Sequence, residues 1–134
     1  MIQFRQSLPE DPQEVLSLYA EVGWTAYTKE PDRLLQGLAG SEVTAAYDQD
    51  YLVGLVRAVT DGQTILYIQD LLVRPSYQRQ KIGQRLLEQM IVQYPHIRQK
   101  LLLTDDQEKT KTFYHACGFK EVKETGGVAF MYGK

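Results

Sequence analysis

The chain has 134 residues, long enough for one domain with a real core and too short for two full ones. Its 43% hydrophobic and 24% charged residues are ordinary for a globular protein, and a net charge of −2 gives no support to a general nucleic-acid binder. Cys117 is the only cysteine, which excludes an internal disulfide or a Cys-rich zinc cage, and no apolar run is long enough to span a membrane, so a soluble cytoplasmic protein is expected.

Met1 to Gln6 reads as an edge strand. Pro9-Glu-Asp-Pro12 then opens a helix with Val15, Leu16, Leu18 and Tyr19 on one side, and Gly23 ends it. Trp24 to Tyr27 is an aromatic loop, followed by a second helix opened by Pro31-Asp32, with Leu34, Leu35 and Leu38 as its buried stripe and Gly40 as its stop. From Glu42 the period changes to that of strands: Glu42 to Tyr47, Tyr51 to Thr60 and Thr64 to Val73, with Asp61-Gly62 as a hairpin signal. A helix from Gly83 carries Ile82, Leu86, Leu87, Met90 and Ile91 inward and stops at Pro95. Lys100 to Thr104 reads as an interior strand and Asp106 to Ala116 as a last helix. Gly118 to Val122 with Val128 to Tyr132 reads as a closing hairpin around Gly126-Gly127. Strand, helix, strand over 64–104 is a crossover unit, so its two strands lie parallel and the sheet is mixed. No repeat or linker divides the chain, and a single domain over 1–134 is expected. His96 and His115 lie far apart in sequence and are read as solvated or capping residues.

The most informative stretch is Asp70 to Leu87, a buried strand that runs into a basic turn and then an amphipathic helix. The first amides of a helix lack partners and carry about half a positive charge from the aligned peptide dipoles, so an anion docks there readily. Arg74, Arg79, Lys81 and Arg85 add cations. Since the chain as a whole has a net charge of −2, these cations are a local feature rather than part of a positive surface, which favours a small anionic ligand over a polyanion. Neither a Walker A sequence nor G-x-G-x-x-G is present, which argues against a nucleotide hydrolase or a dehydrogenase.

Gln78-Arg79-Gln80-Lys81-Ile82-Gly83 instead resembles the Q/R-x-x-G-x-G/A pyrophosphate motif of the GNAT acetyltransferase superfamily. Ile68-Gln-Asp-Leu-Leu-Val73 before Arg74-Pro75 is similar to that family's central strand, and Phe113-Tyr-His-Ala-Cys-Gly-Phe119 is similar to its F-Y-x-x-x-G-F segment. The resemblance implies an α/β (α+β) fold: a mixed, mostly antiparallel sheet with a central, splayed parallel strand pair and about four helices. It also implies acetyl-CoA as acetyl donor, its pantetheine arm against Leu71, Leu72 and Val73 and its pyrophosphate on Gln78, Arg79, Gln80, Lys81, Ile82, Gly83 and Gln84. The first glycine of the motif is Lys81 here, and a lysine is expected there with ordinary helix-start geometry and its stem turned away.

Transfer to nitrogen needs a neutral amine, and removing a proton from a lysine-like amine at pH 7 costs about 4 to 5 kcal/mol. Asp70, an acid inside an apolar strand beside the expected thioester, is the first candidate for the base, with Asp105 and Asp106 behind it. By its place in the motif, Tyr114 matches the family tyrosine that approaches the coenzyme sulfur, where it can protonate the leaving thiolate or orient the thioester. Trp24 and Tyr27 are candidates for the acceptor side, where a cation lies against a ring face. The expected protein is an N-acetyltransferase acting on a primary amine, a small molecule by preference, by direct attack in a ternary complex. It needs no metal, nucleic acid or membrane, and monomer and homodimer are both open. The rival reading is a noncatalytic acyl-CoA-binding sensor or interaction module.

Overall fold

The structure is a computed structural model and describes residues 1–133. It divides into two compact units, one ending at Leu103 and one beginning at Thr104.

The first unit is built on a five-stranded sheet in the order β1 (Ile2–Arg5), β2 (Glu42–Asp48), β3 (Tyr51–Thr60), β4 (Ile65–Val73) and β5 (Gln99–Leu102). Neighbours run antiparallel except β4 and β5, which are parallel, as the crossover requires. Three helices, α1 (Pro12–Glu21), α2 (Thr25–Thr28) and α3 (Pro31–Ala39), lie between β1 and β2 in the chain, and α4 (Ile82–Val92) links β4 to β5. Local chemistry sets these limits. Asp11 caps α1 by accepting the Gln13 amide at 2.9 Å, Pro12 and Pro31 occupy first-turn positions, and Gly23 leaves α1 at φ +85°. Asp61 accepts the amides of Gln63 and Thr64 and the Thr64 hydroxyl, which folds the β3–β4 turn. The stretch expected as an aromatic loop contains α2, because Thr28 and Lys29 bond back to Trp24 and Thr25 in one helical turn.

Val15, Leu18 and Tyr19 of α1 and Leu34 and Leu38 of α3 pack on Val43, Ala45, Leu52, Leu55 and Leu72 of the sheet. The opposite face belongs to α4. Gly54 points there, where a Cβ would stand 3.2 Å from the Leu86 side chain, so the glycine lets α4 approach. Two irregularities interrupt the ladder. Ala46 pairs with Gly54 and Tyr47 with Leu52, leaving Val53 extra in β3, and the Leu52 amide donates to Glu14 of α1 at 2.8 Å. Arg57 pairs with Asp70 and Ala58 with Ile68, leaving Gln69 extra in β4.

The second unit holds α5 (Glu108–Ala116) and a 3₁₀ turn at Val122–Thr125. The closing hairpin expected over 118–132 does not form: Glu121 and Glu124 make a reciprocal capping box that winds this stretch into the 3₁₀ turn, and Gly126 leaves it at φ +93°. Val128, Phe130, Met131 and Tyr132 are exposed and in no strand, so β4 and β5 stand at one end of the described sheet. Asp105 and Asp106 do not cap α5. Its N-cap is Gln107, and Asp106 pairs with Lys111 at 2.5 Å. Both histidines have partners: His96 Nε2 lies 2.8 Å from the Gly62 carbonyl oxygen and His115 Nε2 lies 3.2 Å from Glu124. Among the described residues no helix is long and apolar enough to cross a membrane.

Candidate active site

β4 leaves the sheet into a 3₁₀ turn, Pro75–Tyr77, and Gln78 ties this turn back by donating its side-chain amide to the Val73 carbonyl at 3.0 Å. Arg79 at φ +69° and Lys81 at φ +63° are both left-handed, and α4 begins at Ile82. The Arg85 amide bonds to the Lys81 carbonyl at 3.0 Å, so the amides of Ile82, Gly83 and Gln84 precede the first helical bond and have no acceptor within α4. Left-handed residues feeding a helix N-terminus turn successive N–H groups toward one hollow, the geometry that suits an anion. Lys81 therefore takes the left-handed conformation a glycine would take there, not the expected ordinary helix start, at a cost of about 1–2 kcal/mol for an L-residue. Arg74 is not one of the turn's cations. It is 2% exposed and turned inward, donating to the Leu52 carbonyl at 2.6 Å and lying 4.5 Å from the Tyr51 ring centroid, so it is a core cation rather than part of the turn. Arg85 lies 4.6 Å from the centre of Phe4. Arg79 and Lys81 remain as the turn's exposed cations.

The strand before the turn has one open edge. The Arg74 amide bonds to Val53 in β3 at 2.8 Å, so strand alternation turns the backbone groups of Leu72 toward β3 as well, while those of Leu71 and Val73 face the other way. On that side β5 pairs only with Ile65–Ile68. Among the described residues Leu71 and the Val73 amide thus present strand edge that no strand pairs with, the Val73 carbonyl being taken by the Gln78 side chain, whereas Leu72, 3% exposed, has its side chain in the core and its backbone in the ladder.

Asp70 is the centre of a buried polar cluster. Its Oδ2 accepts Arg57 Nε at 2.7 Å and the Tyr19 hydroxyl at 2.9 Å, and its Oδ1 accepts the Tyr27 hydroxyl at 2.8 Å. Tyr27 Oη in turn accepts Gln69 Nε2 at 3.0 Å and Arg57 Nη2 at 3.3 Å. Asp70 is 3% exposed and Arg57 8%. Gly37 of α3 makes room for the guanidinium, since a Cβ there would stand 3.0 Å from Arg57 Nη1. Burial works to lower the Arg57 pKa, but the hydrogen bond to Tyr27 and the charge of Asp70 outweigh it and raise it, so the cation is permanent. Burial first, then the Asp70 charge, pushes the Tyr19 phenol far up. Tyr19, Trp24 and Tyr27 form one aromatic group, with Tyr19 edge-on to Tyr27 at 5.3 Å and Trp24 at 6.2 Å from Tyr27. Trp24 and Tyr27 are half-buried against the core, so each serves packing as well as the surface it shows.

The sequence profile of the acetyltransferase (GNAT) domain matches residues 39–121, which is more than half of the chain. The chain belongs to the GNAT acetyltransferase family. A GNAT-family protein of Streptococcus pneumoniae TIGR4 is similar in sequence and in fold: 34% identical, with 100% of this chain and 98% of that one superposed at a TM-score of 0.88. A Staphylococcus aureus protein of unknown function, at 23% identity and a TM-score of 0.77 over 99% of this chain and 100% of that one, shares the fold. A Gibberella zeae protein provisionally named an acetyltransferase is 35% identical over 79 residues, 57% of this chain but only 44% of its own length. The chain thus spans less than half of that relative.

Within this GNAT chain the structure brings together Asp70 and Tyr27 through a direct hydrogen bond, with Trp24 beside them, and places Gln78 to Gln84 on one turn. Sequence reading missed Arg57, Tyr19 and Gln69. Arg57 is the only charge in the apolar run 52–59, the same signal that singled out Asp70. In the second unit Tyr114 packs edge-on to Phe113 at 5.0 Å and to Phe119 at 5.9 Å. Burial, then the neighbouring Cys117, pushes its phenol up to about 12, so at neutral pH it holds its proton.

Proposed function

We propose that this GNAT chain transfers acetyl from acetyl-CoA to a primary amine, a small molecule by preference, by direct attack in a ternary complex. Residues 1–134 would act as one cytoplasmic acetyltransferase domain, as monomer or homodimer. The observation that supports this reading best is the left-handed turn at Arg79–Lys81, which points the free amides of Ile82, Gly83 and Gln84 beside two exposed cations and lies directly after the open edge at Leu71 and Val73. These residues fit a pyrophosphate joined to an extended, amide-bearing arm.

When bound, acetyl-CoA supplies an activated acyl group as its thioester. Leu71 and Val73 would hold the arm as an added strand, and an edge amide there donates to the acyl oxygen as negative charge develops on it. Tyr114, protonated at neutral pH, would give its proton to the departing thiolate. Asp70 is the anion that would draw off the amine proton, and its burial leaves it reachable only through Tyr27. Holding both reactants in line supplies much of the acceleration.

The test pairs binding with turnover. Acetyl-CoA should raise the melting temperature and pantetheine lacking the phosphates should do so poorly. A panel of alkylamines, arylalkylamines, polyamines, amino sugars and lysine should yield free thiol and an acetylated product by mass. No thermal shift at roughly millimolar CoA removes the turn from the site. Binding without turnover of any amine leaves the noncatalytic sensor.

A further inference from the structure

Gln69 and Asp70 are neighbours on β4, and in a regular strand their side chains would point to opposite faces. Here both reach one atom, Tyr27 Oη: Gln69 Nε2 at 3.0 Å and Asp70 Oδ1 at 2.8 Å. The extra residue in β4 accounts for this, because a bulge lets two consecutive side chains share a face. The two contacts differ in kind. Tyr27 donates its proton inward to the buried carboxylate, while its oxygen accepts an N–H from Gln69, which is exposed. An N–H donor reaching that oxygen from the solvent side is what an acceptor amine would be.

We propose that Tyr27 Oη is the atom that meets the acceptor amine, that the amine takes the place held by the Gln69 side chain, and that Tyr27 passes the amine's proton to Asp70. The inference rests on the acetyltransferase reading above. In the transfer an ammonium N–H bond breaks and its proton joins Tyr27 Oη as the phenol proton moves to Asp70 Oδ1. The phenol ends as it began, and the neutral amine keeps the electron pair that forms the bond to the acyl carbon as the carbon–sulfur bond breaks. Arg57 spans the path, with Nε on Asp70 at 2.7 Å and Nη2 on Tyr27 at 3.3 Å, so negative charge is paired at either end. The other titratable groups facing Tyr27 are Tyr19 of α1 and Tyr67 of β4, both phenols raised first by burial. On the acceptor side Tyr27 is therefore the catalytic residue, and Asp70 and Arg57 act through it.

The test uses the full chain and the best acceptor of the amine panel. Tyr27→Phe should lower kcat about 100-fold at pH 7, and the deficit should shrink as pH rises and vanish near the amine's own pKa, about 10.4 for a lysine-like group, where solvent has already removed the proton. A deficit that is equal at every pH means packing and overturns the relay. Gln69→Ala should lower KM roughly two- to tenfold, the range a net hydrogen bond represents, since no amide competes for the oxygen. A KM that rises shows that Gln69 holds the acceptor instead, and overturns the exchange. Should Tyr27→Phe fail to fold, NMR of the wild type decides: the Gln69 side-chain amide resonances should move when the acceptor is titrated in with CoA present, and resonances that stay put overturn the proposal. If wild type acetylates no amine of the panel, the acetyltransferase reading fails and this inference with it; a wild type that turns over normally beside a uniformly slowed Tyr27→Phe sinks this inference alone.

Discussion

At the scale of single residues the fold spends its strongest interactions on Asp70. Removing one member of a buried ion pair leaves the other uncompensated, so Arg57→Met should cost about 3–5 kcal/mol in urea unfolding at pH 7, and Arg57→Met with Asp70→Leu should recover much of it. A loss below about 1 kcal/mol for Arg57→Met would mean that Tyr19 and Tyr27 alone satisfy the carboxylate. Lys81 carries the opposite sign. Replacing it by glycine relieves a left-handed lysine and should stabilise the chain by roughly 1 kcal/mol, while weaker CoA binding in the same variant would identify the cation as a phosphate ligand. Tyr114 titrates high, at about 12, so the neutral phenol is the form the folded state favours. Its contribution to stability is complete below pH of about 10 and is lost as pH rises toward 12. Tyr114→Phe should remove a step near pH 12 from the ultraviolet tyrosinate titration and lower kcat by roughly one to two powers of ten. Asp70 was legible in the sequence because a charge in an apolar strand stands out; its partners were not, since nothing local says that Tyr19, 51 positions upstream, shares its oxygen.

Elements whose limits are set by neighbours in the chain were the readable ones. Asp11 and Pro12 start α1, and Asp61-Gly62 turns β3 into β4, because both signals act over four residues or fewer. The segment after Gly118 was misread for a related reason: alternating apolar residues make a strand only with a partner to pair with, and a capping box between Glu121 and Glu124 gave this backbone a nearer alternative. Bulges leave no mark in composition at all. At the first one, the Leu52 amide is satisfied across elements by Glu14, so Glu14→Ala should destabilise the chain by about 1.5–3 kcal/mol, the range for a hydrogen bond to a charged group. Loss of less than half a kcal/mol in a denaturant titration would show that water replaces it.

For the whole molecule, every buried core side chain among the described residues lies before Thr104. The second unit, with no fully buried residue among those described, should open locally at lower free energy than β2, β3 and β4, and hydrogen exchange of the full chain should show α5 amides exchanging well before those strands. Uniform protection would sink that expectation. The mixed sheet and its crossover were legible from the order of periodicities, whereas the division of the chain at 103–104 was not, since no linker composition marks it. The extra residue in β4 sits immediately after Ile68, the last residue that β5 pairs with. One inserted residue thus aims Gln69 at Tyr27 and begins the stretch whose edge is bare. In evolutionary terms, the acceptor side and the donor side hang on the same codon and cannot drift apart independently: lineages that change their amine would do so through α1 and α2, where Tyr19, Trp24 and Tyr27 reside, and leave the length of β4 alone.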